Sequence, residues 1–501
     1  MGLEGVNAFP VGVEVSQVRS LPGFDIVGLP DTAIKESRDR VRAAIKGCGF
    51  TFPGVKITVN LTPADKRKSG PLYDLPILLA VLQASGQINI DLRDTAVLGE
   101  LSLFGDIRPV RGILPMTIGA RDRGYSRIIV PAANAGESGL IKGIDVIGVS
   151  HIHEVVGYLS GSLDITPTVT PFRIETSAFE AGDFSDVKGQ APALRGMEVA
   201  ASGGHNLLLV GPPGSGKSML AKRIPTVLPP LSVGEAIETT NIYSISGLLS
   251  ESNPVVSVRP FRSPHHTVSS AALSGGGSVP RPGEISLAHN GVLFLDEFAE
   301  FHRDAMETLR QPMEDGKITI HRAAGTMTFP CSIMLVAAMN PCPCGYFGHP
   351  TKECVCSPNK VENYLAKISG PMLDRIDVQI DVRPVAFDAL KSDEPETSSK
   401  EIRERILKAR LIQSQRYEGT DISCNAKIPP GLMRKFCPVT ERASNLLEKA
   451  FDSMGMSART YDRVIKVART IADIDGEETL DAIHIGEAIQ YRNLDRKYWR
   501  N

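Results

Sequence analysis

Residues 211–218 read GPPGSGKS. The spacing is that of a phosphate-binding loop, G-x-x-x-x-G-K-[ST], and it lies where that pattern carries meaning, between the apolar run HNLLLV and the helix-compatible KSMLAKRI. Gly211, Pro212, Pro213, Gly214, Ser215 and Gly216 make a loop whose backbone N–H groups can turn inward around phosphate oxygens, and the following helix start adds positive potential. Lys217 is placed to reach the β- and γ-phosphates and Ser218 to ligate Mg²⁺. A second apolar run, GVLFLDE, brings Asp296 and Glu297 to the carboxyl end of a strand, where open α/β sheets bind ligands. Asp296 is expected to hold the metal shell and Glu297 to act as general base on the attacking water. Two acids after an apolar run are common; behind a phosphate loop they predict ATP hydrolysis with Mg²⁺.

Cys342, Cys344, Cys354 and Cys356 crowd into CPCGYFGHPTKECVC, half of the eight cysteines of the chain. Two C-x-C turns facing each other can surround a tetrahedral Zn²⁺, with His349 a substitute for one ligand; unligated thiols and a redox pair are the alternatives. A catalytic zinc is not expected, because no open coordination site with a nearby base is evident. His265 and His266 also invite a metal reading, but no acid or thiol lies near them in sequence, so a loop-ordering role is expected. Cys48, Cys331, Cys424 and Cys437 read as core or incidental positions.

Together with GPPGSGKS, the segments RPFRSPHHTVSSAALSGGGSVPRPGEISLAHNGVLFLDE, LRQPMEDGKITIHR, AAMNPCPCG and, earlier, LPGFDIVGLPDTAIKESRDRVRAAI resemble the ComM/YifB group of magnesium-chelatase-like AAA+ ATPases over essentially the whole chain. The resemblance implies that Asn340 is the sensor-1 residue orienting the lytic water. It implies that Arg375, in MLDRID, is the arginine finger inserted into a neighbour's site, and that Arg459, in SARTYDR, is the sensor-2 arginine of a helical lid. A finger acting between subunits requires an oligomer, and the group points to a hexameric ring. For Arg375 the plainer alternative is a salt bridge to Asp374 or Asp377. Residues 254–290 resemble a helix-2 insert and GKITIHRAAGTMTFP a pre-sensor hairpin. The insert contains Arg259, Arg262, His265, His266, Gly275 to Gly277 and Arg281, and the hairpin Lys317 and Arg322; in the resembling helicases both project into the ring pore, where the basic residues are candidate contacts to a DNA backbone, solvated surface charge being the alternative. The first domain resembles the Lon-protease fold, but Leu72 stands at the serine position and Leu114 at the lysine position, so peptide hydrolysis has no nucleophile and base.

The elements that must position these groups fall into three parts, as 501 residues suggest, each large enough for its own core. Residues 1–161 alternate strand and helix patterns. In VKITVNL, Val55, Ile57, Val59 and Leu61 alternate with polar residues, and Asp31 is placed to cap a helix carrying Ile34, Val41 and Ile45 on one stripe. A Pro-, Thr- and acid-rich linker is expected at 162–184. Residues 185–394 form the α/β ATPase domain, whose continuous apolar runs suit a parallel sheet covered on both faces. Residues 395–501 carry only helical spacing and predict a helical lid. The fold class is thus α/β with an α-helical lid.

Lys and Arg total 55 against 57 Asp and Glu, a net charge of −2, so any attraction for DNA must be local to loops. No apolar run approaches the ~20 residues of a membrane span and the start has no secretory pattern, so a cytoplasmic protein is expected. The leading function is a ring-forming ATPase moving on DNA, as a helicase or branch-migration enzyme. The alternatives are a protein-remodelling chaperone, which would want an aromatic pore loop, and the motor subunit of a magnesium chelatase, in which the protease-like domain is not expected.

Overall fold

A computed structural model of the chain describes residues 1–173, 182–277, 280–322, 325–385 and 396–499. Part of the expected linker (174–181), two residues of the hairpin turn (323–324) and the expected lid boundary (386–395) lie outside the described residues.

In the first domain the alternation of VKITVNL becomes the strand Lys56–Thr62, with Ile57, Val59 and Leu61 fully buried. It is the centre of a three-stranded sheet, antiparallel to Gly12–Val18 and parallel to Gly23–Val27. Asp31 caps the helix Thr32–Gly47 by accepting the Ile34 N–H at 2.9 Å, and Ile34, Val41 and Ile45 turn into the core. A second sheet, all parallel, orders Asp145–Val149, Arg127–Pro131 and Thr95–Val97. Leu72 and Leu114 are both buried in the core of this domain.

The second domain is built on five parallel strands in the order Phe261–Arg262, Val292–Leu295, Met334–Met339, Leu207–Val210 and Val378–Asp381. Both faces are covered: Leu207 and Leu209 enter one core, Leu208 and Val210 another. That double burial is why the strands read as unbroken apolar runs. Strand direction then sorts the sequence. Gly211, Asp296 and Asn340 follow their strands and emerge at one end of the sheet, whereas Asn206 and the segment from Arg375 to Asp377 precede theirs and lie at the other.

The expected lid helices form as Ser399–Arg416, Glu441–Met454, Ala458–Asp475 and Ala482–Gln490. They do not enclose a core of their own, as three independent modules would. Ile402, Ile406, Val464 and Ile471 share one cluster with Leu207, Val336 and Val378, so the lid supplies one cover of the sheet. At the end of the expected linker, Phe184 is buried in that cluster, and Asp183 accepts the Ser399 N–H at 2.9 Å, joining this point to the lid helix.

The seam between lid and sheet is closed by charge. Asp377 is buried, accepts the Asn206 N–H at 2.9 Å and pairs with Arg463 of the lid. Burial pushes its carboxyl up, but Arg463 and then His205 outweigh this and hold it well below the usual carboxylate range. Removing one member of a buried pair strands the other, so Asp377→Ala should destabilise the sheet–lid unit by about 3–5 kcal/mol in chemical denaturation. Because the folded value is depressed, this contribution is complete above about pH 4 and declines as pH falls below it. A variant with unchanged stability at pH 7 would overturn the clamp.

Candidate active site

The phosphate loop is formed as its composition requires. Gly214 and Gly216 hold positive φ angles of 77° and 90°, and a Cβ at Gly211 would meet the Val382 carbonyl oxygen at 2.2 Å. The Gln190 side chain donates to the Arg383 carbonyl at 2.8 Å and to that of Ser215 at 3.4 Å, tying the loop to the segment after the edge strand. Nothing in the sequence around Gln190 signals this tie.

Lys217 opens the helix Lys217–Val227. Its ammonium is buried and donates to the carbonyls of Gly211 and Pro212 at 2.8 and 2.9 Å and to Oδ1 of Asn340 at 3.1 Å. Burial lowers its pKa to about 8, against the opposing pull of Asp296. The Ser218 hydroxyl donates to Oδ2 of Asp296 at 2.6 Å. A hydroxyl and a carboxylate in contact beside a phosphate loop suit Mg²⁺, which takes few protein oxygens and completes its shell with water and phosphate. Lys217, Ser218, Asp296 and Asn340, far apart in sequence, thus meet at one end of the sheet.

Glu297 follows Asp296 with φ 53°, a left-handed conformation that a non-glycine residue holds only at a cost of about 1–3 kcal/mol. The turn sends its half-exposed carboxylate away from the strand, where Oε2 meets Nδ1 of His266 at 3.0 Å. No acid stands near His266 in sequence; Glu297 follows the strand Val292–Leu295, 31 residues on. The His265 ring lies against that of His266, centroids 4.1 Å apart and tilted by 35°.

Arg375 and Arg459 do not join this group. Arg375 is buried at the opposite end of the sheet, where its guanidinium donates to the carbonyls of Pro371 and Arg310 at 2.6 and 3.2 Å. Its ion-pair partner is Glu314 at 2.7 Å, not the flanking aspartates, and Arg459 meets the same carboxylate at 3.1 Å. From Asn206, which donates to the Arg375 carbonyl, to Gly211 the strand spans about 17 Å, so neither arginine serves the phosphate loop of its own chain.

Two of the insert residues offered for DNA are otherwise engaged. Arg259 pairs with Glu235 and donates to the carbonyls of Pro229, Pro230 and Asn290, while Arg262 makes a two-pronged pair with Glu284, both bonds 2.7 Å. Bidentate pairs of this kind hold the insert together and neutralise the charge that would draw a phosphate. Arg281, Lys317 and Arg322 remain exposed without a carboxylate partner among the described residues. The hairpin itself forms, Lys317–Arg322 antiparallel to Gly325–Pro330.

The four clustered cysteines do converge, with all four sulfurs within 4.8 Å of one another. Cys342, Cys344 and Cys354 are 3.4, 3.5 and 3.7 Å apart, too far for disulfides and close to the ~3.8 Å between sulfurs around a tetrahedral zinc with 2.3 Å bonds. The Gly345 and Phe347 N–H groups donate to the Cys342 sulfur at 3.2 and 3.3 Å. Burial pushes the Cys342 thiol up to about 12; at Cys344 burial is outweighed by the Tyr346 N–H and the Cys342 thiol, which draw it down to about 6. His349 is not part of the set, since its Nδ1 accepts the N–H groups of Thr351 and Lys352. The cluster backs directly onto the phosphate loop: a Cβ at Gly345 would come within 2.4 Å of Pro213.

Three family models cover the chain in succession: "Subunit ChlI of Mg-chelatase" at residues 13–134, "Magnesium chelatase, subunit ChlI" at 183–390, and "Magnesium chelatase, subunit ChlI C-terminal" at 396–492. YifB of Escherichia coli is 43% identical over 495 residues, 98% of this chain and 96% of that protein, and competence protein ComM of Haemophilus influenzae is 40% identical over 499, with the same coverage. The chain belongs to the ComM/YifB family of magnesium-chelatase-like AAA+ ATPases. Two partial similarities accompany it: Lon protease 2 of Bacillus subtilis, 28% identical over 152 residues and 26% of that protein, and the probable DNA helicase MCM9 of Arabidopsis thaliana, 26% identical over 193 residues and 25% of that protein. For a ComM/YifB protein the family implies ATP and Mg²⁺ as cofactors. No helix among the described residues is long and apolar enough to cross a membrane.

A buried ammonium whose pKa sits near 8 gains a charge partner when a triphosphate binds. Nucleotide affinity should therefore be level below about pH 8 and fall by close to tenfold per pH unit above it, as Lys217 enters the free site deprotonated. Titration with a fluorescent ATP analogue from pH 7 to 9.5 measures this; a flat profile overturns the assignment of Lys217.

Proposed function

We propose that the chain is a cytoplasmic, Mg²⁺-dependent ATPase that works as a hexameric ring and couples hydrolysis to the remodelling of DNA, as a helicase or branch-migration motor of the ComM type. The observation that carries this reading is the division of the catalytic set. Lys217, Ser218, Asp296 and Asn340 meet at one end of the sheet, and Arg375 and Arg459 stand together at the other. Such a set is complete only where one copy's far end meets another's phosphate loop. In this reading Lys217 and the loop amides bind and orient the triphosphate, Glu297 takes the proton of the attacking water, Asn340 orients that water, and His266 holds Glu297 in position. Mg²⁺, held by Ser218 and Asp296, supplies charge stabilisation of the phosphates. The neighbour's Arg375 and Arg459 neutralise charge on the transferred phosphoryl group.

DNA as the substrate is supported by the partial similarity to a probable DNA helicase, by the relation to a competence protein, and by exposed Arg281, Lys317 and Arg322 on the insert and hairpin. The first domain acts as a scaffold without peptidase activity, Leu72 and Leu114 offering neither nucleophile nor base. It docks on the helix Val233–Ser246, where the Gly112 and Leu114 N–H groups donate to Ser244. The four cysteines hold a structural zinc that braces the phosphate loop through Gly345 and Pro213.

ATP turnover should rise with single-stranded, forked or four-way-junction DNA, and Lys217→Ala and Glu297→Gln should reduce it at least ~100-fold. His266→Ala should slow turnover about ten- to hundredfold while leaving nucleotide affinity unchanged. Turnover indifferent to every DNA form, with no DNA binding in the presence of a nonhydrolysable ATP analogue, overturns the DNA motor. Metal analysis should find close to one zinc per wild-type chain and almost none in Cys342→Ser/Cys344→Ser; negligible zinc in both overturns the zinc clasp.

A further inference from the structure

The far end of the sheet presents an anion between two cations. Arg375 is fixed before any partner arrives, because two of its donors are taken by the carbonyls of Arg310 and Pro371 and a third is left for one anionic ligand. That ligand is Glu314, at the end of the short helix Arg310–Asp315, whose Oε2 takes Arg375 at 2.7 Å and whose Oε1 takes Arg459 at 3.1 Å. Each carboxylate oxygen thus receives one guanidinium, the same arrangement by which two oxygens of a phosphoryl group receive two arginines. The site is open. Glu314 is 38% exposed and Arg459 57%, and beside them lies a cavity of about 520 Å³ at the seam of sheet and lid, lined by Lys427, Arg463 and Lys466 as well.

We propose that Glu314 is an internal stand-in for the terminal phosphate of a nucleoside triphosphate held by a second copy of this chain. In the separate subunit it neutralises and converges Arg375 and Arg459. When two copies meet, the neighbour's γ-phosphate displaces it and takes both guanidinium groups, and Glu314 turns into solvent. The inference rests on the reading that these arginines act between subunits, and it adds a competitor to that reading. A terminal phosphate carries more charge than a carboxylate and so wins the exchange where it reaches both arginines; a diphosphate ends one phosphate group earlier, falls short of them and leaves Glu314 in place. Subunit association is thereby made to depend on ATP rather than ADP by a residue that never touches the nucleotide of its own chain.

Removing the charge of Glu314 while keeping its shape weakens the competitor. In sedimentation velocity with a nonhydrolysable ATP analogue, Glu314→Gln should assemble at a protein concentration about two- to fivefold lower than wild type, the difference expected for loss of a partly exposed ion pair. The distinction between ATP analogue and ADP should shrink in the same variant. Should Glu314→Gln fail to fold, Glu314→Asp, which keeps the charge but shortens the reach to both arginines, is expected to shift assembly in the same direction by a smaller amount. Assembly unchanged or weakened in the folded variant overturns the role of Glu314. Arg375→Ala and Arg459→Ala test the underlying reading separately: if both retain wild-type turnover in assembled rings, the arginines do not act between subunits. If they lose turnover while Glu314→Gln assembles like wild type, only the stand-in fails.

Discussion

A parallel sheet has two unlike ends, and strand direction alone decides which side chains reach each. The five central strands run the same way, so every residue that follows a strand gathers where the phosphate loop lies and every residue that precedes one gathers at the far end. Lys217, Asp296 and Asn340 become neighbours for that reason, and Arg375 is excluded from them for the same reason. No rearrangement of loops within one chain closes a gap of about 17 Å that is set by strand length.

Holding charges where they are useful imposes a cost that packing and pairing must offset. Lys217 donates to a cradle of carbonyls, and burial depresses its pKa against the pull of Asp296. Asp377 is tied down from both sides by Asn206 and Arg463, and this clamp fixes the segment that carries Arg375 against the lid that carries Arg459. The lid accordingly does two things at once: it completes the apolar cover of the sheet and sets the distance between the two arginines.

The insert and the cysteine loop are further supports around the same edge. Arg259 and Arg262 pair with Glu235 and Glu284, which makes their part of the insert a paired platform. That platform carries His266 to Glu297. On the other side, the turn at Gly345 packs on Pro213, so anything that orders the four cysteines also orders the loop around the phosphates. The catalytic edge is in this way held from the insert, from the sheet and from the cysteine turn.

Much of this was legible in the sequence wherever a local pattern carries its own physics. The glycines and lysine of GPPGSGKS can make only a narrow range of turns, an alternating strand such as VKITVNL must bury one face, Asp31 caps the helix that follows it, and unbroken apolar runs demand a sheet covered on both sides. Residue type alone did not distinguish an arginine free to meet DNA from one already paired, because Glu235 and Glu284 approach Arg259 and Arg262 only in the folded insert. Nor did it show that the lid lacks a core of its own, that His266 meets Glu297, that His349 stands apart from the cysteines, or that Glu314 joins Arg375 to Arg459. Each of those depends on contacts between segments that chain order keeps apart, and only the packing of strands and helices against one another brings such groups within the few ångströms at which charge and hydrogen bonding act.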